Sequence, residues 1–183
     1  ILVNNAPSVI GGMIVDQGIE QWRANFGVCV ESVFIGVQAA MKIMQPQGFG
    51  SIINVSSVSS LRAGMAAGAY SAAKAAVNQF TQCAAMEAAP YNVRVNVVAP
   101  GAVMTPGLEA STMKNKSLQD AMAGAIPMQR IGLPEEMASA ICFLASEEAS
   151  FITGVVLPMD GGKTPQMHIP DFDLTALDNQ NIE

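Results

Sequence analysis

Four short apolar runs punctuate this chain at wide intervals, and the stretches between them carry helical periodicity. Ile1-Leu2-Val3, Ser51-Ile52-Ile53-Asn54-Val55, Val93 to Val98 and Val155-Val156-Leu157 read as buried strands. From Glu20 to Met44, apolar residues fall at 22, 26, 29/30, 33, 37, 40/41 and 44, the stripe of an amphipathic helix. A turn is expected at Pro46, Gly48 and Gly50. Ala69 to Ala89 is Ala-rich, lacks Gly and Pro, and stops at Pro90, as a helix would. Pro134 suits a helix start, with Glu135 and Glu136 at the positive end of the dipole and Met137, Ile141 and Leu144 on one face. Residues 104–130 read as a Met-rich loop with short helical pieces. Strands alternating with helices predict an α/β fold, a parallel sheet covered on both faces.

The 183 residues suffice for one domain with a sizeable core. Half are hydrophobic and only 13% are charged, which excludes disorder, a coiled coil and a nucleic-acid tail. Net charge −6 predicts repulsion from nucleic-acid phosphates and anionic membranes. Gly18, Glu20, Glu31 and Gln38 interrupt the apolar stretches, so no segment is expected to cross a bilayer, and no basic leader region is seen. Cys29, Cys83 and Cys142 form an odd, widely spaced set without CxxC, which fits a reducing, cytoplasmic setting. One histidine, His168, leaves no multi-His metal site and argues against a Ser-His-Asp triad. A chain that opens on its most apolar strand is expected to be a portion of a longer protein. One domain is expected over 1–163, followed by a polar acidic tail over 164–183.

Catalysis must then use other acids and bases. Tyr70 and Lys74 lie four apart on a predicted helix and share a face. A free phenol titrates near about 10, and a nearby ammonium is expected to lower that value. Such a tyrosine can exchange a proton with an alcohol or carbonyl. Alone, the pair also describes a helix with one Tyr and one surface Lys. Ser57 stands at a strand end, where ligands meet an open α/β sheet, and its hydroxyl can polarise a substrate oxygen. A plain turn serine reads the same way. Pro100-Gly101-Ala102-Val103-Met104-Thr105 leaves the sheet at the same edge, where its backbone can meet a planar ligand and Thr105 can bond an amide.

Taken in order, Asn4-Asn5-Ala6, Ser57 with Tyr70-Ser71-Ala72-Ala73-Lys74, Asn92-Val93-Arg94-Val95-Asn96, Pro100-Gly101-x-x-x-Thr105, Arg130-x-Gly132-x-Pro134-Glu135-Glu136 and Asp160-Gly161-Gly162 resemble the short-chain dehydrogenase/reductase family. The resemblance runs from residue 1 to about residue 163. It implies a Rossmann-type doubly wound sheet and an oxidoreductase using NAD or NADP. Tyr70 then resembles the family's acid/base, Lys74 the residue that tunes it and holds the nicotinamide ribose, and Ser57 the substrate-oxygen donor. Asn4, Ala6, Pro100, Gly101, Val103 and Thr105 resemble cofactor contacts. The implied substrate is a small-molecule alcohol or ketone, with similarity to relatives that act on cyclic or steroid-like alcohols. The helices 20–44 and 69–89 resemble the pair that joins subunits into a dimer or tetramer.

Three departures stand beside the resemblance. The family's T-G-x-x-x-G-x-G phosphate turn is not found in these residues. Asn4-Asn5-Ala6 is followed by Pro7 where the family has Gly, and proline fixes φ and removes an N–H. Cys29 stands where the family often carries an asparagine that holds a water in a proton relay, and a thiol is a weak donor and acceptor. Cys29 reads more readily as a packed helix residue than as a nucleophile. Met104, Met113, Met122 and Met128 suit either a pocket for an apolar substrate or ordinary packing. The alternative function is a truncated, non-catalytic relative that acts as an assembly or binding partner. A dehalogenase-like branch would carry Arg where Lys74 stands, so Lys74 argues against it.

Overall fold

A computed structural model describes residues 1–112 and 114–166. Strands β1 (Leu2–Asn4), β2 (Gly50–Val55), β3 (Val93–Pro100) and β4 (Val156–Met159) form one parallel sheet in the order β1-β2-β3-β4. Leu2 is paired with Ile52, Ile52 with Val95, and Val97 with Val156. Helices α1 (Ile19–Phe26), α2 (Ser32–Gln47), α3 (Gly68–Ala88), α4 (Pro106–Ser111), α5 (Lys116–Gly124) and α6 (Pro134–Ala145) occupy the connections. Side chains alternate across a strand, so β2 feeds two cores. Ile52 packs with Val33 and Val37 of α2 and Val77 and Ala84 of α3. Ile53, with Val98, packs on the opposite face against Leu144 of α6 and Ala149. Both faces of the sheet are covered, as the alternating pattern predicts. His168 and the rest of the expected tail beyond residue 166 lie outside the described residues, as does Met113.

The expected helix over 20–44 is longer and less regular than its stripe. α1 passes into α2 through a π-helical turn, Gly27–Glu31, so one helix runs from Ile19 to Gln47. Pro46 sits inside its last turn, and the helix ends at Gly48, whose φ of 76° stops it. A proline that late removes only one helical bond, so the stop comes later than Pro46 suggests. An 18-residue window of this helix has mean hydropathy 1.5, long and apolar enough by composition to cross a membrane, which corrects the expectation that no segment is. Glu31 and Gln38 are too sparse to dilute it. In the fold the helix packs along β1 and β2 and beside α3.

β3 carries its own fasteners. Arg94 donates to the carbonyls of Leu144 and Ser146 at the end of α6, a cation at a helix C-terminus. Asn96, fully buried, donates to Ile152 O and accepts from Val155 N. These bonds set β4 beside β3 and bring the C-terminal ends of β2, β3 and β4 to one edge.

Candidate active site

That edge gathers the candidate site residues. The sheet pairing continues past β2 with Ser56 N donating to Val98 O, and Ser57 follows in extended backbone (φ −163°). The Ser57 hydroxyl accepts from Ser59 N at 3.1 Å and caps a short 3-10 turn. α3 then brings Tyr70 and Lys74 back toward the strand end. Lys74 is buried, and its Nζ donates to Val55 O at 2.8 Å. The Ser56 hydroxyl donates to the Lys74 carbonyl at 3.1 Å. These two bonds clamp the first turns of α3 to the end of β2. The Lys74 Nζ lies 5.8 Å from the Tyr70 ring centroid. Ser57, just past the end of β2, and Tyr70 and Lys74 of α3 are thus brought together.

The electrostatics differ from the expectation that Lys74 lowers the Tyr70 pKa. Burial pushes the Tyr70 phenol up, and the Ser57 hydroxyl acts in the opposite direction but does not offset it. Burial pushes the Lys74 ammonium down. Desolvation is the larger effect on both groups, so each is biased toward its neutral form. An ammonium has three hydrogens, and one meets Val55 O, which leaves donors for a ligand hydroxyl.

The other expected contacts have mixed placements. The Asn4 side chain turns into the layer between sheet and helices, and its Nδ2 donates to Asn54 Oδ1 at 2.8 Å. A Cβ on Gly36 of α2 would come within 2.6 Å of Asn4 Oδ1, so this carboxamide is tightly enclosed. Ala6 is exposed in the loop after β1. Pro100 ends β3, and Gly101 N donates to Met159 O. A Cβ on Gly101 would lie 2.8 Å from Asp160 Cβ, so close packing of the β3 and β4 ends already demands glycine there. Val103 makes an isolated parallel bridge with Gly132. The Thr105 hydroxyl accepts from Leu108 N as the N-cap of α4, which leaves its own hydrogen free to donate.

Several supporting residues escaped the sequence reading. Asn54 Nδ2 donates to Thr81 Oγ1, which donates to Val77 O, so a buried polar chain runs from β1 through β2 into α3. Asn25, fully buried, accepts from Ile10 N and donates to Ile10 O and Gln21 O, pinning the loop that follows β1. A polar residue on the buried stripe of the 20–44 helix was the available signal. Cys29 sits in the π-turn, fully buried, with its thiol directed at Ser8 O at 3.3 Å.

Residues 1–164 match the family model described as enoyl-(acyl carrier protein) reductase. The chain belongs to the short-chain dehydrogenase/reductase family. It is 40% identical over 164 residues to trans-4-hydroxycyclohexanecarboxylate dehydrogenase of Sinomonas cyclohexanicum, covering 90% of this chain and 60% of that protein. It is 39% identical over 163 residues to cyclopentanol dehydrogenase of Comamonas sp. strain NCIMB 9872, covering 89% of this chain and 65% of that protein. The chain thus spans between 60% and 65% of the length of these curated relatives. Among solved structures it is similar to a gluconate 5-dehydrogenase from Burkholderia cenocepacia J2315 in complex with NADP and tartrate, with TM-score 0.86 and 32% identity over 91% of this chain and 65% of that one. The Rossmann-type fold follows from the observed sheet and from this likeness.

Proposed function

We propose that this short-chain dehydrogenase/reductase serves an NAD- or NADP-dependent oxidoreductase that interconverts a secondary alcohol and a ketone, on a cyclic or otherwise apolar substrate. The observation that carries the reading is the convergence of Ser57, Tyr70 and the buried Lys74 at the C-terminal edge of the sheet. The residues present fit the nicotinamide end of such a cofactor. Lys74 keeps ammonium hydrogens unengaged beside Tyr70, and the Pro100–Thr105 segment offers backbone and the Thr105 hydroxyl at the same edge. The cofactor, when bound, accepts or supplies the hydride. Tyr70 takes the alcohol proton or returns it to the carbonyl oxygen. Ser57 holds that oxygen with its hydroxyl, and the Lys74 ammonium holds a cofactor hydroxyl.

The substrate class rests on two supports. Met13, Ile14, Val15 and Met65 line a cavity of about 410 Å³ that reaches Gly68 and Ser71, the latter next to Tyr70. Gly12 N donates to Ala66 O and ties the two loops that bear these side chains. Two relatives are named for cyclic alcohols. We place the protein in a homo-oligomer, because the outer face of α2 and α3 leaves Phe34, Ile35, Ile43 and Met86 exposed.

The test is Tyr70→Phe, assayed with cyclopentanol and with NAD or NADP. Loss of the acid/base is expected to lower kcat by about 10²- to 10⁴-fold, with the fold retained by circular dichroism. Full turnover in that variant would sink the reading.

A further inference from the structure

Three ion pairs occur among the described residues, Arg23–Glu20, Lys116–Asp120 and Arg130–Glu136. Two other cations, Arg62 and Lys163, lie far apart in sequence and line one cavity of about 200 Å³, together with Val58, Thr164 and Gln166. Among the described residues, no carboxylate lines it. In a protein of net charge −6, two cations that share a cavity without an acid repel each other, and an anion between them relieves that repulsion.

The backbone that carries each cation is held in place. Ser57 caps the turn over residues 58–60, and Arg62 N donates to Val58 O. Arg62 Nε donates to Thr164 O at 3.1 Å and Nη1 to Leu61 O at 2.9 Å, which leaves Nη2 without a partner among the described residues. Lys163 rides on a turn with Gly161 and Gly162 at φ 63° and 91°. The Asp160 carboxylate accepts from Gly162 N and Thr164 N and fixes that turn. The only side-chain partner of Lys163 Nζ among the described residues is Gln166 Oε1 at 3.4 Å, a long contact. Val58, in the wall of this cavity, is the residue next to Ser57.

We infer that Arg62 and Lys163 receive a carboxylate carried by the substrate, remote from the carbon oxidised at Ser57 and Tyr70, so that the substrate joins an apolar cyclic body to an acid and its class is a cyclic hydroxycarboxylate. This rests on the oxidoreductase reading above. A guanidinium edge and an ammonium suit a carboxylate, with charge-assisted hydrogen bonds on each side. The hydroxyl end and the acid end of the substrate would then be held by two loops that share the 57–62 segment.

The experiment compares two alcohols that differ in the acid alone, cyclohexanol and 4-hydroxycyclohexanecarboxylate. In the wild type, kcat/KM should favour the hydroxyacid. Lys163→Glu should cut that preference about tenfold or more, the scale of one charge-assisted bond. Arg62→Gln should act in the same direction, while Glu135→Gln, a surface charge outside this cavity, should leave the ratio unmoved. An unchanged ratio in Lys163→Glu would overturn the assignment. Calorimetric titration with cyclohexanecarboxylate, inorganic phosphate and cyclohexanol tests the site even if neither alcohol is turned over. Binding of the carboxylate that disappears in Lys163→Glu supports the site and leaves only the oxidoreductase reading at fault. No carboxylate binding, or phosphate bound as tightly as carboxylate, would defeat the assignment to substrate.

Discussion

Lys74 is an ammonium held in a place that disfavours charge. It is 3% exposed, and its one acceptor among the described residues is a neutral carbonyl, Val55 O. Burial therefore lowers its pKa below the ordinary 10.5. Over the window between that lowered value and 10.5, the unfolded chain binds more protons at this group than the folded one. Stability contributed by Lys74 thus rises with pH across that window and is withheld below it. Tyr70 works in the other direction but only above its ordinary 10.0, where the folded state keeps the proton longer. Measurements kept below pH 10 isolate the lysine. The thermal midpoint of the wild type, minus that of Lys74→Met, is expected to increase from pH 8 to pH 9.5. A flat or falling difference would show that Lys74 is solvated rather than buried. The same environment explains the function proposed for it, since a cation kept poorly solvated gains most from a cofactor hydroxyl or a phenolate placed beside it.

The junction of β3 and β4 shows how much of this protein can be read from residues and how much needs contact. The apolar strands, the Ala-rich α3 and the Tyr70–Lys74 spacing are visible in sequence, because each depends on local periodicity. Asn92, Arg94 and Asn96 are visible only as a family-like string. The structure gives each a mechanical role: Asn92 adopts φ 56° to enter the strand, Arg94 binds the end of α6, and Asn96 fastens the segment leading to β4. Asn25 and the π-turn at 27–31 were not legible, because a helical stripe does not reveal one inserted residue or a loop folded against it. The direction of the Tyr70 shift was misread for the same reason: spacing places a lysine nearby but says nothing of depth. Gly101 illustrates the point in a testable way. It reads as a ligand-facing turn glycine, yet a Cβ there meets the Asp160 Cβ at 2.8 Å and the Asp160 Cα, a backbone atom, at 2.9 Å. Neither can move without shifting β4. Gly101→Ala is expected to lower stability by about 1–3 kcal/mol, as overpacking does, measured by urea unfolding. A neutral result would mean that the strand ends are loosely joined.

Across the molecule, apolar surface is distributed unevenly. The helix from Ile19 to Gln47 has an 18-residue window of mean hydropathy 1.5, yet only 17% of that window is buried in the fold. Its inner side packs on the sheet through Val33, Val37 and Met44. Its outer side and that of α3 present Phe34, which meets Phe80 edge-on at 5.9 Å, together with Ile35, Ile43 and Met86. A groove between the two helices, lined by Phe34, Met41, Phe80 and Cys83, continues the patch. Exposed aliphatic and aromatic groups on paired helices are stabilised by a symmetric copy, whose matching helices can complete a four-helix contact. In an isolated subunit Ile43 is 67% exposed, so Ile43→Glu should change its stability by less than about 0.5 kcal/mol. In an assembly the same change buries a carboxylate against apolar side chains at a cost of several kcal/mol. The two cases separate in light scattering after gel filtration. The wild type is expected to elute as a dimer or tetramer and Ile43→Glu as a smaller species with its thermal transition intact. An Ile43→Glu variant that keeps the wild-type mass would place the subunit contact elsewhere, and a monomeric wild type would leave the apolar face without the partner proposed for it.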